Sequence, residues 1–202
     1  MTQDSIYIFG YGSLIWRPGF PYSRRFNAYV KGFKRRFWQQ SRDHRGTDEH
    51  PGRVVTIVPT AEFDTLQPKK EPHDEDGDIV WGVVYQVEDK DVKKCLDDLD
   101  IREIGGYHRT GIPVYTEGDI LACEATLYVG SVSSLINTEF IGPEDIDKTA
   151  TIISRSVGPS GPNPEYLKRL ADSLRSMSLH DTYIFELEKL VNKQNHNSLV
   201  QH

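Results

Sequence analysis

Hydrophobic residues in the first two thirds of the chain form short runs rich in β-branched and aromatic side chains, separated by glycine, proline and aspartate. Runs bounded in this way are typical of β-strands. One stretch has helical spacing instead and predicts a short helix from about Lys90 to Asp98. The predicted strands are Ile6–Phe9, Ala28–Phe33, Arg35–Gln39, Arg53–Val58, Ile79–Val87, Arg109–Tyr115 and Leu121–Val129.

After Gly142 the hydrophobic spacing becomes helical. Pro143 and the two acidic residues after it predict a helix start, because proline fits the first turn and acidic groups suit the positive end of the helix dipole. Further helices are predicted from Asn163 and Asp181, and the polar tail from Asn192 is expected to fray. Their apolar stripes are Leu167, Leu170, Leu174 and Met177 in the first, and Ile184, Leu187 and Val191 in the second.

Short strands followed by helices, without regular alternation, predict an α+β fold with an antiparallel or mixed sheet that can curl into a barrel. The 202 residues fit one domain, 1–202, with a core of ordinary size. The charged segment 67–78 lacks apolar residues and is expected to be a solvated loop.

The composition narrows the class of protein. No apolar run approaches the ~20 residues of a membrane helix, and the N-terminus lacks the basic stretch of a signal peptide. Cys95 and Cys123 are too few for a disulfide framework and are expected to be small packing residues. We therefore predict a cytoplasmic protein with no membrane partner.

A glycine-rich turn, Phe9-Gly10-Tyr11-Gly12-Ser13-Leu14, follows the first predicted strand. Glycines there let the backbone approach a ligand and point N–H groups at a carboxylate or an oxyanion. The turn lacks the third glycine of a dinucleotide fingerprint and the Gly-Lys-Ser/Thr of a phosphate loop. From composition alone, a tight turn at the strand end is the simpler interpretation.

Basic and aromatic residues are interleaved in the segment Arg35-Arg36-Phe37-Trp38. The favoured interpretation is a strand whose arginine face is solvated, and the second is an anionic-substrate site using one or two arginines. RNA binding comes last, because the chain has 24 basic against 30 acidic residues and a net charge of -6. We predict no nucleic-acid partner.

Metal and nucleophile chemistry find little support. His44 and His50 lie in an acidic loop, but their spacing matches no zinc pattern, so we predict no metal. Ser13 is not in a Gly-x-Ser-x-Gly elbow. Carboxylates cluster near the end of the predicted helix, and residue chemistry alone does not single out a catalytic one. They are Asp97, Asp98, Asp100 and Glu103.

Several sequence segments, taken together and in their order, are informative about the class of protein. The chain contains FGYGSLIW from Phe9 to Trp16, an RRFWQ…DHRGT…PGRVVT run from Arg35 to Thr56, and LDIREIGGY from Leu99 to Tyr107. WGVVYQV lies before the last of these segments, and LYVG, GPED and GPSGPNPEYL come after it. With this order, the sequence from Ile6 to Val191 resembles the ChaC-like, glutathione-specific γ-glutamylcyclotransferases.

The resemblance implies a fold, a reaction and a site. The fold is a small mixed β-barrel with packed helices and a helical C-terminal third. The reaction cleaves reduced glutathione into 5-oxoproline and cysteinylglycine, without cofactor or metal. The family's catalytic glutamate falls on Glu103, and its substrate-binding loop falls on Ile8, Phe9, Gly10, Tyr11, Gly12 and Ser13.

The implied chemistry needs a sheltered acid. The substrate's own α-amine attacks its γ-amide carbonyl, and one carboxylate acts first as base and then as acid. We therefore expect Glu103 to be largely buried in a pocket that faces the Gly10–Ser13 turn. One arginine near the pocket is expected to bind the glycyl carboxylate of glutathione; the candidates are Arg35, Arg36, Arg45 and Arg53.

Three other functions stay open at this point. The chain could act on other γ-glutamyl amides, it could be a non-enzymatic small-molecule sensor with the same cavity, or it could bind RNA through the Arg35–Trp38 surface. The sequence leaves the oligomeric state undetermined.

Overall fold

Nine strands and five helices make up the computed structural model, which describes residues 5–67, 69, 71–74, 77–102, 107–133 and 135–200, without the side chains of residues 72, 102 and 196–200. The strands are β1 (Ile6–Gly10), β2 (Arg24–Lys31), β3 (Phe33–Ser41), β4 (Gly52–Pro59), β5 (Ile79–Val87), β6 (Tyr107–Thr116), β7 (Ile120–Gly130), β8 (Val157–Gly158) and β9 (Gly161–Pro162). The helices are α1 (Thr60–Leu66), α2 (Asp89–Arg102), α3 (Ile146–Arg155), α4 (Asn163–Ser176) and α5 (Thr182–Val200).

Five strands close into a barrel in the order β1-β5-β2-β6-β7. Four of the contacts between neighbouring strands are antiparallel, and the closing contact pairs β7 with β1 in parallel, Ile8 opposite Thr126 and Phe9 opposite Leu127. The barrel is therefore mixed, and the predicted fold class is confirmed. Closure removes the open sheet edges that β1 and β7 would otherwise present.

Strands β3 and β4 form a separate antiparallel pair beside the barrel. Their register shifts between Arg36 and Gln39, so the strand bends where the RRFWQ segment lies. Trp38 is buried there and stacks on Phe63 of α1 with ring centroids 5.3 Å apart. Trp38 and Phe63 form a small separate core with Val58 and Phe140.

The C-terminal helices pack on the main core as predicted. Leu170 and Leu174 of α4 and Ile184 and Leu187 of α5 are fully buried, as the apolar stripes require. The Asp181 side chain accepts a hydrogen bond from the Ile184 amide at 3.0 Å, which caps the start of α5. None of the helices in the described part of the chain is both long and apolar enough to cross a membrane.

Several predicted boundaries were wrong. The second strand is β2, not Ala28–Phe33, because Gly32 has a φ of +81° and ends it. Helix α3 begins three residues after Pro143, because Asp145 is its N-cap and accepts from the Lys148 amide at 3.0 Å. Helix α2 runs beyond Asp98, α1 was not predicted, and α5 continues through the tail that was expected to fray.

The predicted solvated arginine face was also wrong. Arg35 and Arg36 are each 3% exposed, and their guanidinium groups end on carboxylates. Arg35 pairs with Asp181 at 2.8 Å, and Arg36 pairs with the buried Asp74. Asp74 belongs to segment 67–78, so this segment is anchored at that point and not wholly solvated.

Candidate functional site

A cavity of about 680 Å³ opens beside the glycine-rich turn. Phe9, Tyr11, Gly12 and Ser13 of the predicted binding loop line it. Tyr107, Tyr128, Tyr166 and several arginines form other parts of its wall. The volume falls within the roughly 300–1,000 Å³ typical of small-molecule sites.

The turn owes its shape to the end of β1. After Gly10 the chain enters a 3-10 turn, Ser13–Ile15, and the Tyr85 hydroxyl donates to the Leu14 carbonyl at 2.8 Å. A methyl group on Gly10 would lie 2.6 Å from the Leu14 Cβ, so only glycine lets the turn fold back over the strand. Ile8 and Gly10 do not line the cavity, and Ile8 belongs to the barrel core.

Gly12 lies against the opposite wall of the cavity. A methyl group added there would lie 2.7 Å from Val55 Cγ1 and 3.4 Å from the Tyr166 hydroxyl oxygen. Gly12 has a negative φ of -124°, and the space beside it is filled, so a larger residue would displace the turn or its neighbours. Gly12 also lines the cavity and has no side chain, so a ligand at this wall would meet its backbone atoms.

Asn163 fixes the helix that carries Tyr166. Its fully buried side chain accepts from the Arg53 amide at 2.7 Å and donates to the Arg53 carbonyl at 2.8 Å. This exchange resembles one step of a β-ladder and pins the start of α4 to β4. Tyr166 then meets the edges of Trp16 and Phe37, with ring centroids 5.5 and 5.9 Å apart.

The DHRGT and GPSG segments meet at the margin of the cavity. The Ser160 amide donates to the His44 carbonyl at 2.9 Å, and His44 Nδ1 lies 3.2 Å from Ser160 Oγ. A Cβ atom on Gly158 would clash with the His44 carbonyl, so the close approach requires glycine. In the described residues no three metal-ligating side chains come together, at His44 or elsewhere.

The structure separates the four candidate arginines. Arg35 and Arg36 point to the carboxylates described above, and Arg53 binds Glu144 through two hydrogen bonds of 2.8 and 3.0 Å. Arg45 lies in the cavity wall, with its guanidinium carbon 5.6 Å from the centre of the Tyr166 ring. Of the four, Arg45 is therefore the one available to a ligand in this cavity.

Tyr128 links the cavity to the end of α2. Its hydroxyl donates to Asp100 at 2.7 Å, and Tyr128 also lines the cavity. Burial raises the pKa of the Tyr128 phenol, and the hydrogen bond to Asp100 raises it further. The phenol therefore stays protonated and acts as a donor at neutral pH.

The predicted catalytic residue, Glu103, lies outside the described residues, and so its burial remains a prediction. The nearest described residue on its C-terminal side is Tyr107, which lines the cavity. Sequence reasoning missed Tyr128 and Tyr166 as wall residues. Tyr166 directly precedes Leu167, the first residue of the apolar stripe of α4, and does not belong to that stripe. An aromatic residue in this position was the signal that could have identified it.

Comparisons with known proteins agree with the sequence resemblance. A sequence model described as ChaC-like protein matches residues 6–194. A glutathione-specific γ-glutamylcyclotransferase of Schizosaccharomyces pombe is 39% identical over 198 residues, covering 95% of each chain. Glutathione-specific γ-glutamylcyclotransferase 1 of Homo sapiens is 39% identical over 175 residues, covering 85% of this chain and 71% of the human protein.

A solved structure shows the same fold. The crystal structure of a γ-glutamyl cyclotransferase specific to glutathione from yeast superposes with a TM-score of 0.84 at 32% identity. The match covers 96% of this chain and 98% of the yeast chain. The similarity therefore extends over the barrel and the C-terminal helices together.

Proposed function

Because this chain belongs to the ChaC-like protein family, we propose that it cleaves reduced glutathione into 5-oxoproline and cysteinylglycine, with Glu103 as general acid and base. The observation that carries the proposal is the cavity lined by Gly12 and Ser13, where a small ligand can meet the backbone of the turn. The relatives named for this activity support it at 39% identity.

The reaction needs no nucleophile from the protein. The α-amine of the γ-glutamyl group attacks its own γ-carbonyl carbon, a five-membered ring closes, and the amide C–N bond to cysteine breaks. Well-held intramolecular reactions reach effective molarities of about 10⁵ M or more. The main task of the cavity is therefore to hold the substrate in a folded conformation.

Proton transfer is the second task. The amine arrives as an ammonium group with a pKa of roughly 8, and the departing nitrogen must gain a proton to leave. A glutamate with a pKa near ~6 would accept the first proton at a cost of about 2.7 kcal/mol. It would then return a proton to the departing amine, so Glu103 serves both steps.

The backbone of the glycine turn is the proposed anion site. Amide groups at Tyr11–Ser13 would hold the substrate's α-carboxylate or the oxyanion that develops on the γ-carbonyl. Gly12 lines the cavity and has no side chain, which supports this role because a substrate at this wall would meet its backbone atoms. Phe9 lies next to the turn in the same wall.

The test is direct. Purified protein is incubated with reduced glutathione, and 5-oxoproline and cysteinylglycine are measured by mass spectrometry. Glu103→Gln is expected to abolish product formation and to leave thermal unfolding nearly unchanged. Glu117→Gln, an exposed change in the turn between β6 and β7, is the matched control and is expected to keep full activity.

Three results would overturn the proposal or part of it. Normal turnover by Glu103→Gln would remove the role of Glu103. Wild-type protein that binds glutathione without forming 5-oxoproline would support a sensor, and faster turnover of other γ-glutamyl amides would support a cyclotransferase of different specificity.

A further inference from the structure

Arg45 is a buried cation without a carboxylate partner in the described part of the chain. It is 9% exposed. Its guanidinium makes one hydrogen bond there, from Nη1 to the Pro162 carbonyl at 3.1 Å. Glu165 is the acidic residue whose charge acts most strongly on Arg45, and it forms a salt bridge with Arg169 at 2.5 Å. Buried cations are normally paired, because an unpaired charge in the interior costs free energy.

Charged groups of both signs surround Arg45. Burial lowers the pKa of Arg45 most, Glu165 and Tyr166 raise it, and the like charges of Arg169 and Arg17 lower it. Both of these arginines also line the cavity. Arginine stays protonated even so. The described cavity wall carries four arginines and two carboxylates, so an anion that enters the cavity would meet an excess of positive charge; they are Arg17, Arg42, Arg45, Arg169, Asp43 and Glu139.

Tyr166 lies between Arg45 and the glycine turn. The tyrosine hydroxyl faces Gly12, where an added methyl group would lie 3.4 Å from it. The guanidinium of Arg45 lies over the same ring, 5.6 Å from its centre. Arg45 is thus about one tyrosine ring away from the glycine turn.

The length of glutathione can be compared with the separation between the glycine turn and Arg45. Two residues, cysteine and glycine, separate its γ-carbonyl carbon from its terminal carboxylate, which gives about 7 Å in an extended conformation. With the γ-glutamyl group on the turn, the glycyl carboxylate can reach Arg45. An arginine fork suits a carboxylate because two parallel N–H groups can bind both oxygens.

We infer that Arg45 binds the glycyl carboxylate of glutathione and is the residue that separates glutathione from γ-glutamyl compounds without that charge. The inference rests on the proposed function for the identity of the ligand. It assigns the two ends of the substrate to the two ends of the cavity, with the α-amino acid end at Gly12 and the glycyl end at Arg45.

The experiment compares glutathione with its glycyl monoethyl ester, which lacks the terminal charge. Wild-type protein is expected to favour glutathione over the ester by about tenfold or more in kcat/KM. Arg45→Met is expected to lose about tenfold on glutathione and to treat the ester as wild type does. Arg45→Lys keeps the charge without the fork and is expected to fall between them.

Arg175→Met is the matched control. Arg175 is exposed on α4, pairs with Glu188 and does not line the cavity, so the preference for glutathione should persist. Thermal unfolding of both Arg45 variants checks that they fold. An Arg45→Met variant that loses activity equally on glutathione and on the ester would overturn the inference, because Arg45 would then act on another group.

The inference and the proposed function fail differently. If wild-type protein forms no 5-oxoproline, the proposed function fails, and calorimetric binding of the two compounds to Glu103→Gln still tests Arg45. The subsite would be supported if Glu103→Gln binds glutathione more tightly than the ester and the double variant with Arg45→Met does not. Equal binding of the two compounds, or a preference that survives Arg45→Met, would overturn it.

Discussion

The Tyr128 hydroxyl and the Asp100 carboxylate, 2.7 Å apart, join strand β7 of the barrel to the end of helix α2. Arg109 of β6 lies 3.7 Å from the same carboxylate. Asp100 precedes the proposed catalytic Glu103 by three positions. This contact therefore ties the chain to the cavity wall just before that glutamate.

Tyr128→Phe is expected to reduce turnover more than affinity. The loss of one hydrogen bond should lower the free energy of unfolding by about 1 kcal/mol. If the contact positions Glu103, kcat should fall by about tenfold with little change in KM. Steady-state kinetics and urea unfolding provide the measurements.

Tyr22→Phe is the control for that change. Tyr22 is 45% exposed and lies outside the cavity wall, so its hydroxyl should be dispensable. A Tyr128→Phe variant with the expected stability loss but unchanged kcat would show that the contact has a structural role alone.

Gly12→Ala is expected to weaken substrate binding and catalysis together. The new methyl group would lie 2.7 Å from Val55 Cγ1, so the turn must shift away from its position. We expect at least a tenfold loss in kcat/KM for glutathione, because in the proposed function the turn holds the reacting end of the substrate.

Val55→Ala in the Gly12→Ala background tests the cause. Removing Cγ1 makes room for the added methyl group, so the pair should be more active than Gly12→Ala alone. Equal activity of the single and the double variant would show that the clash with Val55 does not explain the loss.

Local patterns predicted the barrel strands, the C-terminal helices and the glycine turn, because each depends on neighbouring residues. The burial of Arg36 could not be predicted in this way, because its partner Asp74 is 38 positions away. Tyr166 reaches the cavity through the contact between Asn163 and Arg53, 110 positions apart. The site thus depends on contacts between residues far apart in the sequence. The organisation of the chain as one domain, 1–202, stays a prediction.

Asp74→Ala is expected to be strongly destabilising. It would leave the buried Arg36 guanidinium without its carboxylate, and such losses cost about 3–5 kcal/mol. Urea unfolding measures the effect. Asp172→Ala removes an exposed partner of Lys168 and should cost less than about 1 kcal/mol, so similar losses in the two variants would contradict this account.

Glu144 is expected to make stability sensitive to acid. Burial raises the pKa of Glu144, but Arg53 and Lys148 outweigh it and hold this pKa below its ordinary value of 4.5. A carboxyl with a lowered pKa stabilises the fold above the pKa of the unfolded chain, and that contribution is lost as the pH falls through the lower, folded-state value.

The measurement is the free energy of unfolding between about pH 6 and pH 3. Wild-type protein should lose stability across the acidic part of this range, and Glu144→Gln should be less stable at pH 6 with a shallower slope. Glu117→Gln, an exposed change, should leave the free energy of unfolding at pH 6 nearly unchanged. Parallel wild-type and Glu144→Gln curves would assign the acid sensitivity to other groups.

The cavity wall joins Phe9 of the first strand to Tyr166 of α4. During translation, the glycine turn leaves the ribosome long before Tyr166 has been synthesised. In a nascent chain the turn is therefore present before the cavity is complete. Catalysis in the cavity must wait until α4 has left the ribosome and packed against the barrel. Incomplete translation products that end before α4 should consequently be unable to consume the substrate.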